Sequence, residues 1–162
     1  MATVYLGLGS NIDPESNLRL AARELRIRYG ELRFSEVYRS AAVGFDGPEF
    51  LNLVAAMESD DQPAAIHEQI EQIHELAGRH RDEEQLSSRA LDIDLLMVDD
   101  LILDEPPLRL PRADILDYDF VLRPFSELAP ELIHPVSGKT LAEHWRAFAA
   151  ASRPLTRVSV VL

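Results

Sequence analysis

Cysteine is absent from the 162 residues of this sequence. The chain therefore forms neither disulfides nor thiolate metal sites, which excludes four-cysteine zinc centres, iron–sulfur clusters and thiol catalysis. Its apolar runs are short compared with the roughly 18–20 residues that span a bilayer, and its first residues lack the basic and apolar regions of a signal peptide. We therefore expect a soluble, cytoplasmic protein that does not bind membranes.

Lysine is nearly absent as well. Lys139 is the only lysine among the 16 basic residues, which face 28 acidic residues, for a formal net charge of -12. This balance repels polyanions, so we expect no nucleic-acid partner. A small anionic ligand would be bound by arginine, whose planar guanidinium matches phosphate oxygens. We expect a monomer whose partners are small molecules.

Length and a hydrophobic content of 46% predict one globular domain over residues 1–162. Strand and helix patterns follow in the order β-α-β-β-α-β, an α+β arrangement in which two helices cover one face of an antiparallel sheet. The predicted strands lie at 4–8, 32–38, 50–57 and 91–98, and the predicted helices run from an Asp13 cap to Gly30 and from Pro63 to Gly78. A proline-rich extension adds a helix capped by Thr140 and a final strand at Val158–Leu162.

The segment Leu91–Leu95 alternates leucine or isoleucine with aspartate. On a strand, Asp92 and Asp94 share one face and lie about 6–7 Å apart along the chain. Two such carboxylates suit Mg²⁺, which takes one or two protein carboxylates and completes its shell with phosphate oxygens. A half-exposed strand with a solvated polar face shows the same alternation, so the pattern alone leaves both interpretations open.

Three arginines, Arg79, Arg81 and Arg89, precede this strand. Arginines beside a metal-binding carboxylate pair favour a nucleotide polyphosphate, because the cations neutralise phosphate oxygens while the acids hold the metal. The alternative is a set of surface arginines balanced by the acidic residues 82–84.

Phe50, Asn52 and Phe120 offer two aromatic faces and an amide, a set that suits a flat heterocycle. Core packing explains either phenylalanine taken singly. The five histidines are dispersed along the chain. We predict that His67 and His74 lie on the polar face of the second helix, solvated or lightly paired, and that they bind no metal.

Five motifs occur in order along nearly the whole chain: Tyr5–Asn11, Gly47–Asn52, Gly78–Arg81, Ser88–Leu96, and Phe120–Pro124 with Ala129–Glu131. In this combination they resemble the 6-hydroxymethyl-7,8-dihydropterin pyrophosphokinase family of folate biosynthesis. The R-x-L-D-[IL]-D element at Arg89–Asp94 is highly specific to it. The resemblance implies a ferredoxin-like βαββαβ sandwich, here with a C-terminal helix and strand extension.

The resemblance also implies an activity: transfer of pyrophosphate from MgATP, the co-substrate, to the hydroxymethyl oxygen of the reduced pterin, with release of AMP. Asp92 and Asp94 then correspond to the ligands of two Mg²⁺ ions. The other implied site residues are Arg79 and Arg89 for catalysis, Arg81, Arg89 and Arg112 for nucleotide binding, and Ser40, Ala42, Val43, Phe50, Asn52 and Phe120 for pterin binding.

Four residues depart from the family pattern, and they concentrate on the nucleotide side. Leu86, Arg112, Tyr118 and His74 stand where tryptophan, histidine, arginine and glutamate are usual. These departures keep open a non-catalytic paralogue that binds pterin or nucleotide as a sensor. A ferredoxin-like interaction module without a small ligand is a third hypothesis, although it gives no reason for the aspartates and arginines to occur together.

Overall fold

The computed structural model describes residues 1–78 and 90–162 of the chain. Its strands are β1 (Ala2–Ser10), β2 (Arg33–Phe34), β3 (Val37–Ser40), β4 (Phe50–Ser59), β5 (Asp92–Val98), β6 (Leu103–Glu105), β7 (Leu108–Leu110) and β8 (Thr156–Val158). Its helices are α1 (Pro14–Tyr29), α2 (Pro63–Leu76), α3 (Asp114–Asp117), α4 (Asp119–Leu128) and α5 (Leu141–Phe148).

Within these residues, the main sheet has the strand order β5-β1-β4-β3-β8, and β2 also pairs with β4. Every pairing in it is antiparallel. The remaining strands, β6 and β7, form a separate hairpin. The predicted β-α-β-β-α-β core is therefore confirmed, with β1 at its centre between β4 and β5.

One face of the sheet is covered by α1 and α2. Their apolar residues, spaced at helical intervals, pack against alternate residues of β1, β4 and β5 in the larger hydrophobic core. The helix residues in this core are Leu18, Ala21, Leu25, Ile66, Ile70 and Ile73.

The opposite face is covered by α3, α4 and α5, which form a second hydrophobic core with Tyr5, Val54 and Leu96. Neither α3 nor α4 is among the predicted helices, because this region is rich in proline, yet Pro124 lies inside α4. Helices therefore cover both faces of the sheet. Trp145 and Phe148 pack against this second core.

The alternation of β5 is interrupted at its end. Leu6 pairs with Leu95 but Tyr5 pairs with Met97, so Leu96 is an extra residue in the strand. Such a β-bulge puts two successive residues on the same side, and both Leu96 and Met97 belong to the second core. Because Asp92 and Asp94 precede the bulge, their predicted shared face is retained.

Two details at element ends differ from the sequence prediction. Asp13 precedes α1, but its side chain makes no capping hydrogen bond and its backbone is left-handed at φ 42°. The last strand is Thr156–Val158 and not Val158–Leu162, because only this stretch pairs with β3. The Thr140 cap is confirmed, since its side chain accepts a hydrogen bond from the Glu143 N–H at 3.1 Å.

No helix in the described parts of the chain is long and apolar enough to cross a membrane.

Candidate active site

Two rows of residues cross β4, β1 and β5 at one end of the sheet. In the first row, Gly9 of β1 pairs with Asn52 of β4 and with Asp92 of β5. In the second, Gly7 pairs with Val54 and with Asp94. All six residues line a cavity of about 240 Å³ on the face that carries α3 and α4.

Most of the residues predicted for the site line this same cavity. They are Ser40, Val43, Phe50, Asn52, Asp92, Asp94, Arg112 and Phe120. The wall at the start of the β3–β4 loop is formed by Ala41 and Val43, so Ala42 is not among the lining residues. Arg79, Arg81, Arg89 and Leu86 lie outside the described residues, and their roles stay predictions.

The two glycines give the cavity its floor. A Cβ atom on Gly9 would lie 2.6 Å from Asn52 Oδ1, closer than atoms approach without displacement. A Cβ atom on Gly7 would meet the Leu96 side chain at 3.4 Å, near ordinary contact. Gly9 therefore leaves the space that the Asn52 amide occupies.

The Asn52 amide is buried and held in place. Its Nδ2 donates a hydrogen bond to Ser40 Oγ at 3.1 Å, and both residues are buried. An amide has two N–H donors and a carbonyl acceptor. One N–H is used by Ser40, so the second N–H and the carbonyl can bind the edge of a ligand.

Aromatic rings line the cavity from two segments. Phe50 begins β4 and meets Phe45 edge-on, with ring centroids 6.3 Å apart. Phe120, at the start of α4, stacks on Tyr118 at 5.0 Å with an interplanar angle of 21°. All four rings line the cavity. Phe50 and Phe120 are only half-buried, so core packing does not account for their whole surface.

Arg112 lies between two carboxylates at the acidic side of the cavity. Its guanidinium is 3.5 Å from Asp94 and 3.3 Å from Asp114, and its backbone N–H donates to the Leu96 carbonyl at 2.9 Å. Burial alone would lower the pKa of Arg112, but the carboxylates of Asp94 and Asp114 raise it above its ordinary value. Arg112 is therefore a permanent cation beside the aspartate pair.

His74 does not lie on the polar face of α2, where it was predicted to be solvated or lightly paired. It is only 3% exposed, and its Nε2 accepts a hydrogen bond of 2.8 Å from the N–H of Ile93. Its Nδ1 lies 3.3 Å from Glu71 Oε1, one turn earlier. The helical spacing already contained the signal, because His74 follows Ile70 by four residues and therefore lies on the buried face of α2.

Sequence reasoning assigned no role to several cavity residues, namely Gly7, Gly9, Phe45 and Asp114. The sequence could have indicated Phe45, since an aromatic residue in a loop rich in glycine is available for ligand contact. Asp114 follows Arg112 by two residues in the sequence, but only the structure shows that its carboxylate lies 3.3 Å from the guanidinium and lines the cavity.

The fold and the cavity together define the class: a small α+β enzyme domain that combines an acidic strand face with a pocket lined by aromatic rings. Residues 5–130 match the family model of 7,8-dihydro-6-hydroxymethylpterin-pyrophosphokinase (HPPK). The chain belongs to this family.

Individual relatives agree with this assignment. The chain is 34% identical over 145 residues to the 2-amino-4-hydroxy-6-hydroxymethyldihydropteridine pyrophosphokinase of Aquifex aeolicus, covering 88% of this chain and 90% of the relative. It is 35% identical over 145 residues to the enzyme of the same name from Pseudomonas aeruginosa, covering 86% and 88%.

A solved structure agrees with the fold. It is the Plasmodium falciparum HPPK-DHPS crystal structure with pterin and p-hydroxybenzoate, which superimposes with a TM-score of 0.75 at 14% identity over 93% of this chain. The present chain spans 43% of that longer chain. This likeness establishes the ferredoxin-like fold and nothing further.

Proposed function

We propose that this chain transfers the pyrophosphoryl group of ATP to the hydroxymethyl oxygen of 6-hydroxymethyl-7,8-dihydropterin and releases AMP. Family membership supports the reaction. The observation that carries the proposal is the opening of Asp92 and Asp94 into the same cavity as Phe50 and Phe120. A carboxylate pair beside a pocket for a flat ring is what transfer between a metal-bound polyphosphate and a heterocycle requires.

The pterin would bind between the aromatic rings. Phe50 and Phe120 offer apolar ring faces, and the Asn52 amide offers its free N–H and carbonyl to the polar edge of the pterin. Buried polar groups of this kind discriminate strongly, because a ligand that cannot pair with them leaves them unsatisfied. The Ser40 hydroxyl fixes the amide in the orientation that reads that edge.

The donor set on β5 fits Mg²⁺. Asp92 and Asp94 supply hard oxygen ligands, as this ion prefers. Among the described residues, no group of three or more acidic or histidine side chains is placed so that it could hold a metal ion by itself. The remaining ligands would thus be phosphate and water oxygens, which suits an ion that bridges nucleotide and protein. When bound, Mg²⁺ would withdraw charge from the phosphate oxygens, and we propose two such ions.

The nucleotide would lie on the Arg112 side of the cavity. Arg112 is held by Asp94 and Asp114, so it would exchange these partners for a phosphate oxygen once Mg²⁺ compensates the charge of Asp94. Arg79 and Arg89 would stabilise the charge on the transferred group, and Arg81 would contact phosphate. The monomeric state and the cytoplasmic location stay predictions from the sequence.

The test is incubation of the chain with ATP, Mg²⁺ and the reduced pterin, followed by chromatography of the nucleotides. We expect AMP only when all three are present. Formation of ADP would contradict pyrophosphoryl transfer, and AMP formed without pterin would indicate hydrolysis. Pterin binding without any AMP would favour the sensor hypothesis, and absence of both pterin and nucleotide binding would favour the interaction module.

A further inference from the structure

We propose that His74 is a positioning residue for the Asp92–Asp94 carboxylate pair and acts through the backbone of Ile93. This inference rests on the proposed function, because it assumes that the two aspartates hold a cation. It concerns a residue of α2 that lines no wall of the cavity.

The hydrogen bond from Ile93 to His74 supplies an acceptor for a backbone N–H on the open side of the edge strand. β5 pairs with β1 on one side only in the described sheet, and every second N–H of such a strand points away from the sheet. Ile93 is only 3% exposed, so its N–H needs a protein partner. His74 Nε2 supplies the acceptor at 2.8 Å.

The imidazole is fixed in one tautomer by its partners. Since Nε2 accepts the hydrogen bond from Ile93, Nδ1 carries the proton and donates to Glu71 Oε1 at 3.3 Å. The ring is almost completely buried between α2 and β5. It therefore presents its lone pair to the strand at a defined point.

Along the strand, that point lies between the two aspartates. Ile93 separates Asp92 from Asp94, so a shift of the Ile93 peptide changes the direction of both side chains at once. The separation of paired ligands decides how well they bind a cation, and the groups that orient metal ligands typically matter 10–100-fold for affinity or activity. A misplacement of about 1 Å at a reacting centre can cost about 10²-fold in rate.

The test uses three substitutions in the full chain. His74→Leu fills much of the same volume but accepts no hydrogen bond, and His74→Gln restores an acceptor at the distance of Nε2. His67→Leu is the matched control, because His67 lies two turns earlier on the same helix, is half-exposed, and makes no hydrogen bond to β5 within the described residues.

Three properties are measured for each variant: Mn²⁺ affinity by electron paramagnetic resonance, AMP formation as a function of Mg²⁺, and the NMR coupling across the hydrogen bond between the Ile93 and His74 nitrogens. We expect His74→Leu to weaken Mn²⁺ binding and to raise the Mg²⁺ requirement by about 10–100-fold. His74→Gln should recover most of both, and His67→Leu should equal the unmodified chain. The coupling should be present in the unmodified chain.

The inference is overturned if folded His74→Leu keeps normal Mn²⁺ affinity and Mg²⁺ dependence, or if the unmodified chain lacks the coupling. A loss of stability with unchanged metal dependence would indicate a purely structural histidine and would also overturn it. If the unmodified chain forms no AMP, the proposed function fails, and Mn²⁺ affinity still decides the role of His74. If His74→Leu does not fold, His74→Asn, whose acceptor falls short of the Ile93 N–H, replaces it with the same expectations.

Discussion

Gly9 and Asn52 face each other across β1 and β4, and the Asn52 carbonyl oxygen occupies the space that a side chain at Gly9 would need. β1 thus carries a glycine at the position where the buried Asn52 side-chain amide lies over it. Because Gly9 also pairs with Asp92 on the other side, one glycine separates the group proposed to read the pterin from a group proposed to bind the cation.

Gly9→Ala should weaken pterin binding in addition to destabilising the fold. The new Cβ atom would lie 2.6 Å from Asn52 Oδ1, so the amide must move away from Ser40. We expect overpacking to destabilise the chain by about 1–3 kcal/mol and pterin affinity to fall at least about tenfold, equivalent to about 1.4 kcal/mol. Chemical denaturation and quenching of pterin fluorescence measure the two effects.

The control for this change is Gly7→Ala, whose Cβ would meet only the Leu96 side chain, at 3.4 Å. It should disturb pterin affinity less than Gly9→Ala. Equal losses in the two variants would show that the cavity floor, and not the Asn52 amide, is what Gly9 protects.

Asp92→Asn and Asp94→Asn should each abolish AMP formation and leave the fold intact. Either change removes a charge proposed to bind the cation, without creating a cavity. Asp94 is 28% exposed and its ion pair with Arg112 spans 3.5 Å, so the stability loss should stay within about 0–1 kcal/mol. Turnover at limiting Mg²⁺ and thermal unfolding are measured together.

An exposed aspartate provides the comparison. Asp104→Asn removes the partner of Arg109 on the β6–β7 hairpin and should change neither property. Near-normal turnover of either cavity variant at limiting Mg²⁺ would refute the metal site.

Local periodicity explains which parts of this molecule the sequence predicts well. Asp92 and Asp94 were predicted to share a face because a strand alternates sides whatever its partners. The same rule fails at Met97, where a bulge depends on how β1 and β5 pair. Strand pairing is a long-range property, and nothing in the sequence of β5 alone predicts the bulge.

His74 and α4 illustrate the other limit. The polarity of His74 favours a solvent-exposed position, although its spacing from Ile70 places it on the buried face of α2. The partner that satisfies it, the Ile93 N–H, belongs to a distant strand. In α4, an internal proline makes a helix unexpected from the sequence, while packing of Leu122 and Phe125 against the sheet stabilises it.

Arg79→Ala and Arg89→Ala should each lower turnover by about 10²–10³-fold, the scale for loss of one donor that stabilises developing charge. Pterin affinity should change much less, because the proposed pterin pocket is formed by the aromatic residues and Asn52. Single-turnover kinetics and pterin titrations separate the two effects. Equal losses in both would assign these arginines to the pterin pocket.

Arg112→Ala should weaken nucleotide binding without changing nucleotide preference. Arg112 is a permanent cation between Asp94 and Asp114, so it is suited to contact phosphate. Its guanidinium has no hydrogen-bond acceptor with which it could recognise an amino group of a base. A charged hydrogen bond contributes about 1.5–3 kcal/mol, so the KM for ATP should rise by about 10–150-fold, with a smaller effect on pterin affinity.

Arg109→Ala is the matched control, because Arg109 precedes Arg112 closely, is 68% exposed, and pairs only with the equally exposed Asp104 among the described residues. It should leave the KM for ATP unchanged.

With leucine at position 86 and no aromatic platform there, binding of the nucleotide should depend on phosphate and metal. We therefore expect the chain to accept GTP better than relatives that keep tryptophan and histidine. The KM for GTP should then rise in Arg112→Ala by the same factor as the KM for ATP. A rise for ATP alone would mean that Arg112 reads the base, and strict ATP selectivity of the unmodified chain would mean that backbone groups recognise adenine.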